Sequence, residues 1–226
     1  MRTAALLRGI VVLLVSVLTL FLASRFVSSE RKLNGVKYLA EPEVKRPLCD
    51  SQIRCPANHF SFKIVSGAAS VVGPSICFNN KVIMNGIMNN IGRGLNIALI
   101  NASTGELLLT DFFDMWSGNI KLLVDFLLSV KPGTIFLLAS FDDPATKMTD
   151  EARTLISELG SSFIHSVNFR DNWIFVGAKP IKEKSPFEQV MKNDKAKNKY
   201  GNWPEAVEME GGNTTHATSE HPGDGT

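Results

Sequence analysis

The stretch from Thr134 to Phe141 (Thr-Ile-Phe-Leu-Leu-Ala-Ser-Phe) constrains the fold more than any other part of this chain. Successive side chains of a strand point to opposite faces, so a strand with one wet face alternates apolar and polar residues. This stretch does not alternate. It reads as a central strand buried on both faces, which demands a packed layer on either side of its sheet.

The flanking residues supply those layers. His59–Val65 reads as a one-sided strand with Phe60, Phe62 and Ile64 on one face, and Leu95–Ile100 and Glu106–Phe112 are two more, joined by a hairpin-like connection over Asn101–Gly105. Ile120–Val130 has the helical period: Leu122, Leu123, Phe126, Leu127 and Val130 fall on one stripe, Lys121 and Asp125 fall off it, and Lys131-Pro132-Gly133 ends it. Thr149 is expected to cap a second helix, with Asp150 and Glu151 in its first turn and Gly160 at its stop. Asn172–Gly177 is a further strand. Ser185-Pro186-Phe187-Glu188 has the form of a capping box with proline at the first helical position, which predicts a short helix. Hairpin strands with helices between others make the class α+β, with sheets packed together and helices on the outer faces.

Ahead of this core, Arg2 and Arg8 precede an uncharged apolar run from Ile10 to Ala23. The run suits a signal-peptide core and is short for a membrane span; small residues at Val27-Ser28-Ser29 offer a cleavage site before Glu30. The alternative is a signal anchor, with the arginines cytoplasmic and the domain in the lumen. Arg25 interrupts the run and counts against a comfortable span. Either way the remainder is extracytoplasmic, and its length suits one domain.

The net charge of +2 and scattered basic residues give no electrostatic case for nucleic acid. Lys182–Lys199 is locally basic, but Glu183, Glu188 and Asp194 interleave it, as on a solvated face. The chain lacks a Walker phosphate loop, a Gly-x-Ser-x-Gly elbow and a His-Glu-x-x-His motif. Gly92-Arg93-Gly94 precedes a strand, whereas a dinucleotide fingerprint follows one and opens a helix. The three cysteines, Cys49, Cys55 and Cys77, tend to pair in an oxidising compartment, and an odd count leaves one over. Their spacing lacks the histidine pair that zinc needs, and His59 stands alone. No metal, cofactor or catalytic residue is expected.

Two clusters remain. Phe141-Asp142-Asp143-Pro144 lies where the central strand emerges, and Phe169-Arg170-Asp171-Asn172-Trp173 lies where the last core strand begins. Carboxylates take paired sugar hydroxyls, arginine donates to ring or acetamide oxygens, and an aromatic ring covers the apolar sugar face. The structural alternative is an internal salt bridge between the two loops, with Trp173 in the core. A glycosidase pair among Asp142, Asp143 and Asp171 is the weakest reading, because nothing in the sequence sets their separation.

Several blocks carry a resemblance: Ser66–Pro74, Asn89–Ala98, Phe113–Gly118, Asp142–Met148, Phe169–Trp173 and Lys184–Gln189, in that order. From about Leu48 to Gly211 the chain resembles the "family with sequence similarity 3" secreted proteins, the interleukin-like EMT inducer and pancreatic-derived factor family. The resemblance implies an ILEI/PANDER or GG-type lectin domain: two antiparallel sheets with short helices, and a non-enzymatic, cytokine- or hormone-like factor. A related domain in the stem of a Golgi protein O-mannose N-acetylglucosaminyltransferase binds N-acetylglucosamine-type sugar, and its contacts resemble Arg93, Asp142 and Arg170 here. The resemblance also implies a Cys49–Cys77 disulfide. The family cysteine that would pair with Cys55 follows Met-Glu-Gly, but Met209-Glu210-Gly211 is followed here by Gly212-Asn213-Thr214. Cys55 is therefore expected to be free or to join two chains as a homodimer.

The expected organisation is a signal peptide or anchor over 1–29, a linker over 30–48, the domain over 49–211 and a disordered tail over 212–226. Asn101 and Asn213 are N-glycosylation sequons, the first in the hairpin loop and the second in the tail. The expected partners are a cell-surface receptor protein and glycans. The expected location is extracellular, with a membrane-anchored Golgi protein as the alternative.

Overall fold

The computed structural model describes residues 14–22, 24, 49 and 59–214. The chain divides into two units, Met1–Lys45 and Arg46–Thr226. In the first, residues 14–22 are helical, and among the described residues no helix is long and apolar enough to cross a membrane. The expected cleavage site at Val27–Ser29 lies outside the described residues, as do Cys55 and the chain beyond Thr214.

In the second unit the described strands are β1 (His59–Val65), β2 (Ser75–Phe78), β3 (Lys81–Met84), β4 (Gly94–Asn101), β5 (Leu107–Phe113), β6 (Thr134–Phe141), β7 (Asn172–Lys179), β8 (Glu188–Met191) and β9 (Glu208–Thr214). Helix α1 spans Ile120–Ser129, α2 spans Asp150–Glu158, and a short 3₁₀ turn covers Ile164–Ser166. Two antiparallel sheets result, ordered β3-β2-β1-β9 and β5-β4-β6-β7-β8. The doubly buried strand is β6, central in the larger sheet as expected. Its Phe136 and Leu138 join a core with α1, α2, Trp173 and Phe175, while Ile135, Leu137 and Ala139 join a second core with Phe62, Ile64, Ile76 and Met84 of the smaller sheet. The layers are thus helices, five strands, four strands. Each side chain buried this way contributes about 1.5–3 kcal/mol, which is why the uninterrupted apolar run forces the sandwich.

Local signals explain most elements. Asn119 Oδ1 accepts from Lys121 N (3.0 Å) at the start of α1, and Thr149 Oγ1 accepts from Ala152 N (3.3 Å) at the start of α2. The buried face of α1 is Leu123, Val124, Phe126 and Leu127, with Leu122 exposed rather than on the stripe. The β4–β5 hairpin closes through Asn101, whose Oδ1 accepts from Ser103 N (2.9 Å) and Thr104 N (3.0 Å). Between β2 and β3 both Asn79 (φ +49°) and Asn80 (φ +60°) are left-handed, the requirement of a two-residue type I′ hairpin. Asparagine tolerates that conformation, so this missed hairpin was legible in its Asn-Asn pair.

Two further expectations are corrected. Ser185–Glu188 starts no helix. Ser185 N donates to Gly160 O (2.9 Å), its hydroxyl donates to Val176 O, and the chain runs into β8. The Glu188 carboxylate, instead of turning back on Ser185, accepts from Ser161 Oγ, Ser162 N (2.6 Å), Phe163 N (3.2 Å) and Trp173 Nε1 (2.9 Å). The tail reading also begins too early. Gly212 to Thr214 continue β9 opposite Ser61 to His59, so Asn213 sits in a strand opposite Phe60 rather than in a tail.

A disulfide joins Cys49 to Cys77 of β2, the pairing that the resemblance implies, with Cα atoms 6.0 Å apart. It ties the chain's entry into the domain onto the smaller sheet.

Candidate functional site

Register brings the predicted residues to one end of the larger sheet. Gly94 of β4 pairs with Phe141 of β6, so Arg93 and Asp142 flank the same rung. Leu95 pairs with Phe113, which places Asp114 beside them, and β7 begins just after Arg170.

Two of these residues hold left-handed backbone. Asp142 (φ +62°) is the middle of a γ-turn in which Asp143 N donates to Phe141 O (2.8 Å). Arg170 (φ +59°) is the third residue of a turn closed by Asp171 N donating to Asn168 O (3.1 Å). Such strain in non-glycine residues persists where the surroundings over-determine it, and it clusters at binding sites.

The surroundings do so here. The Asp171 carboxylate, 2% exposed as a residue, accepts from Asn168 N (2.9 Å), Lys192 Nζ (2.9 Å) and Asn193 N (2.8 Å), locking the Arg170 turn. Asp143 is 1% exposed; its Oδ1 accepts from Ala145 N (3.0 Å) and Thr146 N (3.3 Å), and its Oδ2 has no partner among the described residues. Of the three aspartates, only Asp142 is not buried.

The salt bridge between the two loops does not form among the described residues: Arg170 and Asp142 meet through a tryptophan instead. The Arg170 guanidinium carbon lies 4.1 Å from the Trp203 ring centroid and 4.7 Å from that of Phe169. Trp203 Nε1 donates to Asp142 Oδ1 (2.8 Å). Among the described residues, nothing accepts from the Arg170 guanidinium, and Asp142 Oδ2 takes no hydrogen bond. Trp173, by contrast, is wholly buried, as the structural alternative has it.

Trp203 was not legible as a site residue. It follows the interleaved charged stretch read as a solvated face, and an aromatic there was the one available signal. Its loop is fixed where Asn172 Nδ2 donates to Glu205 O (2.8 Å) and where Tyr200 N donates to Trp203 O (3.1 Å).

Arg93 is engaged differently. Its Nε and Nη2 donate to Asp114 Oδ1 (3.1 Å) and Oδ2 (2.8 Å), and Nη2 also reaches Ser117 Oγ (2.9 Å). Asp114 Oδ1 accepts in turn from Trp116 N (2.8 Å) and Ser117 N (3.1 Å). The Trp116 ring then packs on Phe169, with centroids 5.8 Å apart. A continuous chain of contacts therefore links all three predicted residues: Asp142, Trp203, Arg170, Phe169, Trp116, Asp114 and Arg93. A cleft of about 310 Å³ behind the Asp114 loop, against α1, is lined by none of the three. Among the described residues no group of three or more metal-ligating side chains converges.

Arg93 holds the Asp114 carboxyl well below the usual carboxylate range, assisted by Ser117 and the backbone and opposed by partial burial. A depressed folded value means that the stabilisation is present above the unfolded pKa of about 3.9 and is lost as pH falls through the folded value. The Trp116 indole resonance should therefore stay fixed from pH 7 down to pH ~4.5, near that reference. A titration of that signal between pH 5 and 6 would contradict the arrangement.

The family model described as interleukin-like EMT inducer matches residues 93–180, which include Arg93, Asp142 and Arg170. The zebrafish (Danio rerio) protein FAM3C is 53% identical over 219 residues, covering 93% of this chain and 96% of the relative. This chain belongs to the FAM3 family. Mouse (Mus musculus) protein FAM3D is 46% identical over 217 residues, covering 93% and 97% of the two chains. Human (Homo sapiens) FAM3C is 55% identical over 163 residues, 72% of each chain. The FAM3 resemblance carried by the sequence blocks is thereby shown across most of the chain.

Proposed function

We propose that this FAM3-family chain is an exported, non-enzymatic signalling factor that reads carbohydrate of the N-acetylglucosamine type at Arg170 and Asp142. The carrying observation is the pair of partly exposed charged groups, Arg170 and Asp142, held on either side of Trp203. Among the described residues the Arg170 guanidinium stacks on rings without a side-chain acceptor, Asp142 Oδ1 accepts from Trp203 Nε1, and Asp142 Oδ2 accepts from none of them. A ligand bearing acetamide and hydroxyl groups offers an acceptor to the guanidinium and a donor to the carboxylate. Arg93 is a weaker contact, because two of its nitrogens are already spent on Asp114.

The interleukin-like name of the family model supports the signalling role. The apolar N-terminal run supports export. The engagement of Asp143 and Asp171 within turns supports a non-enzymatic site, since a glycosidase needs two presented carboxyl groups. Recognition of a receptor protein is the second reading; it is favoured by the exposed Trp116 and Phe169 beside an arginine, residue types that dominate protein hot spots.

A glycan array with wild type and Arg170→Ala tests the first reading. Loss of a charge-assisted hydrogen bond should weaken binding about 10- to 100-fold. Absence of wild-type binding to any glycan would sink the lectin reading and leave the receptor reading.

A further inference from the structure

Beyond Arg170 the site runs on into two exposed rings. Trp116 is 47% exposed and Phe169 is 40% exposed, and their planes are inclined by 37°. What sets these two apart from other exposed side chains is that they adjoin each other and the charged pair, forming one continuous surface. Neither ring is loose. Phe169 has the Arg170 guanidinium against one face, and the Trp116 backbone is held by Asp114, itself clamped by Arg93 in a two-point ion pair. Among the described residues the indole N–H of Trp116 has no acceptor.

We propose that Trp116 and Phe169 form a second sugar subsite, stacking the apolar face of a pyranose next to the one held by Arg170 and Asp142. This rests on the carbohydrate reading above and extends it from a monosaccharide to an oligosaccharide. A pyranose has hydroxyls at its rim and C–H bonds on its face, and the negative face of an aromatic ring attracts those C–H bonds. The surface alternates in the same way, with polar groups at Arg170 and Asp142 and bare rings immediately beside them. An apolar protein segment lying across the rings would leave the neighbouring Arg170 donors without acceptors, a costly arrangement once water is excluded. Arg93 is then a positioning residue, which holds the Trp116 loop through Asp114.

The test is isothermal titration of the full domain with N-acetylglucosamine and with its β-linked disaccharide, N,N′-diacetylchitobiose. Wild type should bind the disaccharide about threefold to tenfold more tightly than the monosaccharide, the range of one aromatic stacking contact. Trp116→Ala should erase that preference, so that the disaccharide binds no more tightly than the monosaccharide, and Trp116→Phe should restore most of it. Trp116 lies outside both cores, so the variant is expected to fold. If the preference survives in Trp116→Ala, or both affinities fall equally, the subsite is overturned and the carbohydrate reading stands. If wild type binds neither sugar, both are overturned together.

Discussion

Replacing Trp173 with alanine is expected to destabilise the domain by about 3–5 kcal/mol. That is a large share of the roughly 5–15 kcal/mol that holds a typical domain folded. Trp173 is completely buried on the helix-facing side of the larger sheet and stacks on Phe175 with ring centroids 6.0 Å apart. Its removal leaves a cavity between β7, β8 and the α2 layer that rigid strands cannot close. It also strips Glu188 of its indole donor, although Ser161, Ser162 and Phe163 still satisfy that carboxylate. Urea denaturation should report a lowered midpoint with an unchanged slope. Trp173→Phe should recover much of the loss by refilling the cavity. A change under about 1 kcal/mol in the alanine variant would mean that the ring is not the centre of this core.

The second large effect belongs to the disulfide. Cys49 and Cys77 are separated by 28 positions, and a bridge over such a loop contributes roughly 3–4 kcal/mol by limiting the unfolded chain. Cys49→Ala is therefore expected to lose that amount under oxidising conditions, with little further change when a reductant is added. Thiol titration of the denatured chains should find Cys55 alone in wild type, and Cys55 with Cys77 in the variant. If wild type and Cys49→Ala have the same midpoint, the bridge contributes nothing to the folded domain. If wild type has no titratable thiol and runs as a dimer on a non-reducing gel, Cys55 joins two chains. The alanine variant is the cleaner choice, because Cys77 is buried in β2 and its replacement would also disturb packing.

Much of the architecture was legible because local rules and burial agreed. β1 and β6 match their expected bounds, and β4, β5, β7, α1 and the Thr149 cap lie within a residue or two at most ends. Those segments carry their own periodicity. β9 does not: Glu208, Glu210, Gly211 and Gly212 are poor strand formers, and the strand exists because β1 offers a full ladder of partners. Gly211 is also where a side chain could not fit, since a Cβ there would meet the Phe62 ring at 2.8 Å. The Ser185–Glu188 motif failed for the converse reason. Its local helix-start signal lost to distant hydrogen-bond donors on the 161–163 turn and Trp173.

The site divides in the same way. From the sequence alone, Thr134–Phe141 determined a sandwich with a doubly buried central strand, and the motif blocks determined the FAM3 family. Arg93, Asp142 and Arg170 could also be named as candidates, because polar residues at strand ends are carried there by the strands themselves. Only the tertiary structure decided what each does. Arg93 is turned to Asp114, Arg170 lies against the rings of Phe169 and Trp203, and Asp142 is bonded to Trp203, which lies 61 residues away along the chain. Such pairings depend on which loops share one end of the sheet, and that is set by the pairing of strands far apart in the chain, such as β4 with β6, which no local pattern specifies.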